Sequence, residues 1–320
     1  MDFELTSDQA DLQDGIRKLC EGRFPIERVR ELEAQGGVDR ALWSELVDTG
    51  VFALRLPEAD GGLGLGMAET VLVFEELGRA LVPGPLVATE VAAQLIPAVA
   101  AGQEIAGVVE RHRSPLLVEH LASIDRLVVL DDAGAWSVAA ADVQGTLVAR
   151  PIDPLTPLHL VDALPPGELV GDARSADRVR QEGSILAAAL LVGSAQAVTD
   201  LAVAFAKERE QFGRPIGSFQ AVKHLLADMA VRASVAQAAV YAAGVTFDTP
   251  DVGDVARAAA AAKITAGDAA VNNAKGAIQV HGGMGFTWEV DAHLHLKRAW
   301  VLDTVFGSVD DHSDALAHLL

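Results

Sequence analysis

Arg209 and Gln211 lie in the stretch Glu208 to Ala227, EREQFGRPIGSFQAVKHLLA, which sets a forked cation and an amide at a bend in the chain. Taken alone these residues read as a solvated αα-hairpin corner, although a planar guanidinium at such a bend can give two parallel hydrogen bonds to the oxygens of a phosphate or carboxylate. A second concentration of reactive types is IQVHGGMGFTWEVDAHLHLKRA, Ile278 to Ala299. There Gly282 and Gly283 read on their own as a helix cap, although glycines, having no Cβ, can also let backbone N–H groups come close to an anion. His281, His293 and His295 share that stretch and suggest a metal, but no HExxH or cysteine accompanies them, so no metal is expected. A third glycine-rich stretch, GVFALRLPEADGGLGLG at Gly50 to Gly66, has no preceding strand of a βαβ unit and no GK[ST], which argues against a phosphate cradle.

Helices must hold these residues. An amphipathic run from Gly183 through Lys207 is expected to stop at Gly213 and Pro215, and Phe219 opens the next helix. The pattern from Asp177 onward predicts a four-helix bundle: about Val179–Arg209, Phe219–Thr246, Val252–Val280 and a last segment from His293. Upstream, helical spacing runs from Thr6 to about Arg30 and from Arg40 to Asp48, then from Met67 to about Ala101 with breaks at Pro83, Gly84 and Pro85. Between Arg113 and Arg174, LASIDRLVVLDD, AWSVAAADV and GTLVARPI read as strands of a small sheet. The expected fold class is mainly α: an N-terminal helical domain (1–112), a truncated β-domain (113–175) and a C-terminal bundle (176–320).

The 320 residues carry 45 acidic against 25 basic side chains, a net charge of −20, which argues against nucleic acid or an anionic membrane as partner. Mean hydropathy is +0.26, yet no uninterrupted apolar run reaches the roughly 18 residues of a membrane span. A single cysteine, Cys20, fits a reducing, cytoplasmic setting and reads as a buried small hydrophobe. The N-terminus lacks the basic and apolar layout of a signal peptide.

RxQFGxPIxxFQ, Arg209 to Gln220 with His224 following, resembles the acyl-CoA dehydrogenase family, as do QxxGGxGF at Gln279 to Phe286 and LPEADGGLGLG followed by FEELGRA, Phe74 to Ala80. The resemblance implies FAD as cofactor and an acyl-CoA as substrate. It also implies that Arg209, Gln211, Phe212, Gln220, Gln279, Gly282 and Gly283 face the pyrophosphate and adenosine of a flavin shared across a subunit interface. The middle of the chain departs from the pattern, for neither the AMTEP-like nor the W-I-[TS]-like strand is present.

The family's reaction removes an α-proton with a glutamate while a β-hydride passes to the flavin. That glutamate usually stands in RDAxxxxIYEGT; here the matching stretch is KRAWVLDTVFGS, which puts Phe306 in its place. Some members carry the base near the start of the first bundle helix. Ungapped matching puts that position at Gly183, beside Glu182, whose side chain would be rotated by about 100° and reads as a carboxylate favourable at a helix N-terminus. Asp303, one turn before Phe306 on the same helical face, is the second candidate and is expected to be solvated or salt-bridged. The resemblance thus implies the FAD-supporting subunit of a heteromeric enzyme, a heterotetramer with a full-length subunit that supplies the glutamate. The alternatives are a flavin-free structural or regulatory subunit and a homo-oligomeric dehydrogenase using Glu182.

Overall fold

The computed structural model describes residues 5–319; the N-terminal reading above rests in part on residues 1–4, which lie outside them. Eleven α-helices and nine strands are found among the described residues. They form two units: one holds residues up to Ile26, Val71–Val82 and Ser184 onward, the other Glu27–Thr70 and Pro83–Gly183.

The first unit is built on long helices. α1 (Ser7–Arg23) opens with a capping box in which Thr6 and Gln9 exchange side-chain to backbone bonds. It ends at Phe24, and α2 (Ile26–Glu33) follows, so the single helix expected to Arg30 is two, split where Pro25 can give no N–H. Cys20 is buried on α1, and burial pushes its thiol up to about 12. α4 (Met67–Arg79) and α7 (Ala173–Glu208) meet backbone to backbone: a Cβ on Gly193 would lie 1.8 Å from the Glu75 carbonyl oxygen, and one on Gly78 would lie 2.1 Å from that of Leu190. α8 (Gln220–Asp248) and α9 (Val255–His281) pack through alanine-rich faces, with Met229 set against Gly276. α10 (Ala292–Thr304) and α11 (Val309–Leu319) complete the bundle. By length and composition α7 could cross a membrane, but 78% of its apolar window is buried inside the protein, as in a core helix.

The second unit carries α2, α3 (Arg40–Asp48), α5 (Leu86–Ala93), α6 (Pro97–Ala100) and two sheets. In one sheet β1 (Ala106–Glu110), β3 (Arg126–Leu130), β4 (Gly134–Ala139) and β7 (Glu168–Asp172) lie in that order, with β1 parallel to β3 and the rest antiparallel. The other sheet orders β2 (Leu117–Glu119), β6 (Leu158–Val161) and β5 (Gly145–Leu147). The three strand-like pieces read from the sequence correspond to β3, β4 and β5. The other four strands had no legible signal, being three to five residues long and, in β1, buried without alternation. Trp136 on β4 donates its indole N–H to Asp131 at 3.0 Å, closing the β3–β4 turn.

The α4–α7 contact leaves no room for a side chain. Gly193→Ala should cost about 1–3 kcal/mol or more through overpacking, whereas Gly15→Ala, where α1 has open space, should gain about 0.5–1 kcal/mol. Urea unfolding midpoints of the two variants test this; equal effects would contradict it.

Candidate functional site

Four helix termini converge at one end of the bundle. α7 and α9 end there and α8 and α10 begin there, joined by a core in which Phe205, Ile216, Val222, Ile278, Val290 and Ala292 pack together. The Phe205 ring stacks on His281 at 4.1 Å, tying the last turn of α7 to that of α9. His281 is buried and bonds the Ala277 carbonyl through Nδ1 at 2.7 Å. His295 is held by Ser194 at 2.9 Å, and its burial, with Arg298 nearby, drives its pKa down to about 3. Both imidazoles are core side chains.

The corner after α7 is a tight hairpin. β8 (Glu210–Gln211) pairs with β9 (Arg214–Pro215), and Phe212 and Gly213 at its tip have φ of +54° and +76°. Two successive positive φ values give the type I′ twist that suits a two-residue loop. Gly213 and Pro215 therefore belong to the hairpin and do not themselves stop the helix: the Arg209 N–H makes the last helical bond, to Phe205, and the Arg209 carbonyl then accepts from Ile216 at 2.8 Å. Phe219 caps α8, stacks beneath the Arg214 guanidinium at 4.1 Å and meets Phe212 edge-on at 6.0 Å. The Phe212 side chain is 92% exposed, in a backbone conformation that a bulky residue holds at a cost of about 1–3 kcal/mol.

After α9 the chain turns through Gly282 at φ +60° into the short 3-10 stretch Gly282–Phe286. A Cβ on Gly282 or Gly283 would meet nothing within 4 Å, so these glycines leave open backbone at the surface. Gly285 serves packing, since its Cβ would strike the Ile278 carbonyl at 2.3 Å. Arg209, Gln220 and Gln279 are exposed, and their side chains have no hydrogen-bond or ion-pair partner among the described residues. Gln211 uses its amide N–H on the Glu210 carbonyl at 2.7 Å. The structure brings the seven sequence-chosen residues to the same bundle end. An unpaired guanidinium, unpaired amides, open glycine backbone and an exposed ring can bind an anionic, phosphate-bearing ligand with a flat base. Phe286 and Trp288, 85% and 66% exposed, share this end and were not singled out beforehand, although GFTW is in the sequence.

The loop at residue 306 has a different character. α10 ends at Thr304 and Phe306 has φ +53°, so Asp303 and Phe306 do not share a helical face as expected. The loop is clamped from below by Lys263, fully buried on α9, whose Nζ donates to the carbonyls of Asp303, Val305 and Gly307 at 3.2, 2.7 and 2.5 Å. The Phe306 carbonyl bonds the Ser184 hydroxyl and His312 Nε2, each at 2.9 Å. Asp303 is half-buried, and its carboxylate accepts the Val309 N–H at 3.3 Å, capping the start of α11.

Glu182 is not at a helix N-terminus, because α7 begins at Ala173. It is 1% exposed and its oxygens are already engaged: Arg55 lies at 3.0 and 3.1 Å, and Arg178, one turn before it, at 2.8 Å. Arg55 also reaches Glu90 at 3.0 Å. Burial alone would lower the Arg55 pKa, but Glu182 and Glu90 together hold it above the usual value. A carboxylate spent on two guanidiniums is poorly placed to accept a substrate proton.

The family profiles described as "Acyl-CoA dehydrogenase, N-terminal domain" and "Acyl-CoA dehydrogenase, C-terminal domain" match residues 6–104 and 179–318. The chain is 33% identical to the acyl-CoA dehydrogenase IpdE2 of Mycolicibacterium smegmatis, covering 90% of this chain and 91% of that protein. It is 37% identical to the acyl-CoA dehydrogenase FadE34 of Mycobacterium tuberculosis over 88% of this chain, but spans only 43% of that relative's length. Among solved structures, a chain titled "Tcur3481-Tcur3483 steroid ACAD G363A variant" superposes with a TM-score of 0.85 at 24% identity, covering 98% of this chain and 97% of that one. One from the "ChsE4-ChsE5 complex from Mycobacterium tuberculosis" gives 0.84 at 23% identity, covering 99% and 98%.

Replacing Lys263 by Met would strand three carbonyls. The expected cost is about 3 kcal/mol, against about 1 kcal/mol for Ser184→Ala, both read from urea midpoints; a neutral Lys263→Met would show that the clamp contributes nothing to loop 303–307.

Proposed function

This chain belongs to the acyl-CoA dehydrogenase family, and on that premise we propose that it is the flavin-supporting, base-free subunit of a heteromeric enzyme that introduces an α,β double bond into an acyl-CoA thioester. The observation that carries this reading is Phe306, a non-ionisable side chain where the resemblance implies the glutamate, on a loop whose carbonyls at Val305, Phe306 and Gly307 are all bonded. The second position at which relatives carry a base offers only Glu182, which is engaged by Arg55 and Arg178. That engagement weighs against the self-sufficient homomeric reading.

The residues at the bundle end fit FAD. The Arg209 guanidinium and the Gln220 and Gln279 amides would hold its phosphates and adenine end, with the Gly282–Gly283 backbone free to approach. FAD, when bound, supplies the hydride acceptor. This chain's part is to orient that cofactor across an interface where Phe212, Phe286 and Trp288 present apolar rings. The partner would bring the carboxylate. Two of the similar structures carry titles that pair two proteins, and one names a steroid substrate class; a bulky steroid thioester is the substrate class we favour. A flavin-free structural subunit is disfavoured because a pure scaffold has no need for unpaired phosphate-facing groups.

Co-expression with a full-length acyl-CoA dehydrogenase subunit tests the reading. Arg209→Ala should leave the assembled complex intact but lower FAD retention about 10- to 100-fold, the range expected for losing a charge-assisted pair of hydrogen bonds. Arg209→Lys, which keeps the charge without the fork, should also bind FAD more weakly than wild type. Flavin absorbance after gel filtration gives the answer, and undiminished FAD in Arg209→Ala would sink the assignment.

A further inference from the structure

The stretch Gly50–Gly66 folds back on itself. Leu63 N–H reaches the Ala53 carbonyl at 3.0 Å, Leu65 that of Leu54 at 2.8 Å and Gly64 that of Leu56 at 2.9 Å. A Cβ on Gly62 would lie 2.1 Å from the Leu56 carbonyl oxygen, so the two arms of the doubled loop lie directly against each other. The inner arm is buried through Val51, Phe52, Leu54 and Leu56, and Phe52 stacks on Trp43 at 4.9 Å. The tip, Pro57 to Gly61, is exposed.

One charged side chain departs from this apolar arm. Arg55 points inward, its side chain 6% exposed, and lies between two carboxylates, Glu90 of α5 and Glu182 of α7, whose side chains are 0% and 1% exposed. Glu182 has the further support of Arg178 at 2.8 Å. Glu90 has no such support: Oε1 meets Arg55 Nε at 3.0 Å, while Oε2 has no hydrogen-bond partner among the described residues. The charged groups acting on Glu90 are Arg55 from the doubled loop and Glu182 from α7. The α5 contact with β1 is neutral, a pair of bonds between Thr89 and Ala106.

We propose that Arg55, Glu90 and Glu182 form a proton-controlled latch that holds the doubled loop 50–66 against α5 and α7, with Glu90 as the group that gains and loses the proton. With the proton on Glu90, Arg55 pairs fully with Glu182 and the enclosed site holds no bare anion. With the proton gone, Oε2 carries charge without a donor in a site closed to water, and an unmet buried charge is costly. The loop must then give way to admit a donor.

The direction follows from linkage. Burial raises the Glu90 carboxyl from 4.5 to about 7, overcoming the opposite pull of Arg55. The closed latch is therefore favoured below the unfolded value, and that advantage is lost as pH rises through about 7.

The test uses the intact chain, wild type and Glu90→Gln, with hydrogen exchange read by mass spectrometry from pH 5 to 8 and corrected for intrinsic rates. In wild type the opening of peptides covering 50–66 should increase by up to about 10²-fold across that range. Glu90→Gln, which cannot ionise, should show a flat profile. If Glu90→Gln does not fold, Glu90→Met replaces it, and the wild-type series still decides. Equal pH dependence in wild type and variant, a wild-type profile already flat over 50–66, or a difference that maps to other segments overturns the latch.

Discussion

Backbone-to-backbone approach between helices is the constraint on which the bundle unit depends. Gly78 and Gly193 let α4 and α7 touch through their backbones, while Gly276 on α9 leaves room for the Met229 side chain of α8. Helices this close have little freedom to slide, because interiors packed at crystal-like density do not deform continuously. Their ends are therefore fixed together. The hairpin after α7 and the glycine turn after α9 thereby acquire a common position, and the stack of Phe205 on His281 locks it. An exposed surface made of short, irregular segments is thus set by contacts buried beneath it.

On the proposed reading, the two places where a carboxylate could serve as base are silent in opposite ways. At residue 306 the scaffold is present and the functional group is absent: Lys263, Ser184 and His312 hold the loop carbonyls around a phenyl ring. At residue 182 the functional group is present but bound by two guanidiniums. The residues that would face a cofactor have the reverse character, for Arg209, Gln220 and Gln279 are left unpaired at the surface. On the proposed reading, open groups at the bundle end and an engaged Glu182 suit a chain that completes another subunit's site.

Much of this was legible in the sequence. The long helices announced themselves by periodicity, and the corner at Arg209 and the glycine pair at Gly282 stood out by residue type and spacing. Less visible were features that depend on distant residues. Glu182 looked like a helix-start carboxylate because the start of α7 at Ala173 is not marked by an apolar repeat, and its partner Arg55 is 127 positions away. Lys263 sits in the alanine run ARAAAAAKITAGDAA, where only the fold reveals that its ammonium caps a loop forty residues downstream. Strands of three to five residues, as in β1 and β2, offer too few positions for alternation to declare itself.

The central claim is that this chain supports the chemistry without supplying the base. Base action has a signature independent of flavin reduction: reversible removal of the substrate α-proton, seen as deuterium uptake at the α-carbon of an acyl-CoA incubated in D2O. The measurement is mass spectrometry of octanoyl-CoA and of a steroid acyl-CoA after incubation with the purified chain, and with the chain assembled with a full-length acyl-CoA dehydrogenase subunit. The account predicts no uptake above buffer with the chain alone and uptake of at least one thioester by the assembly. Uptake catalysed by the chain alone would contradict it.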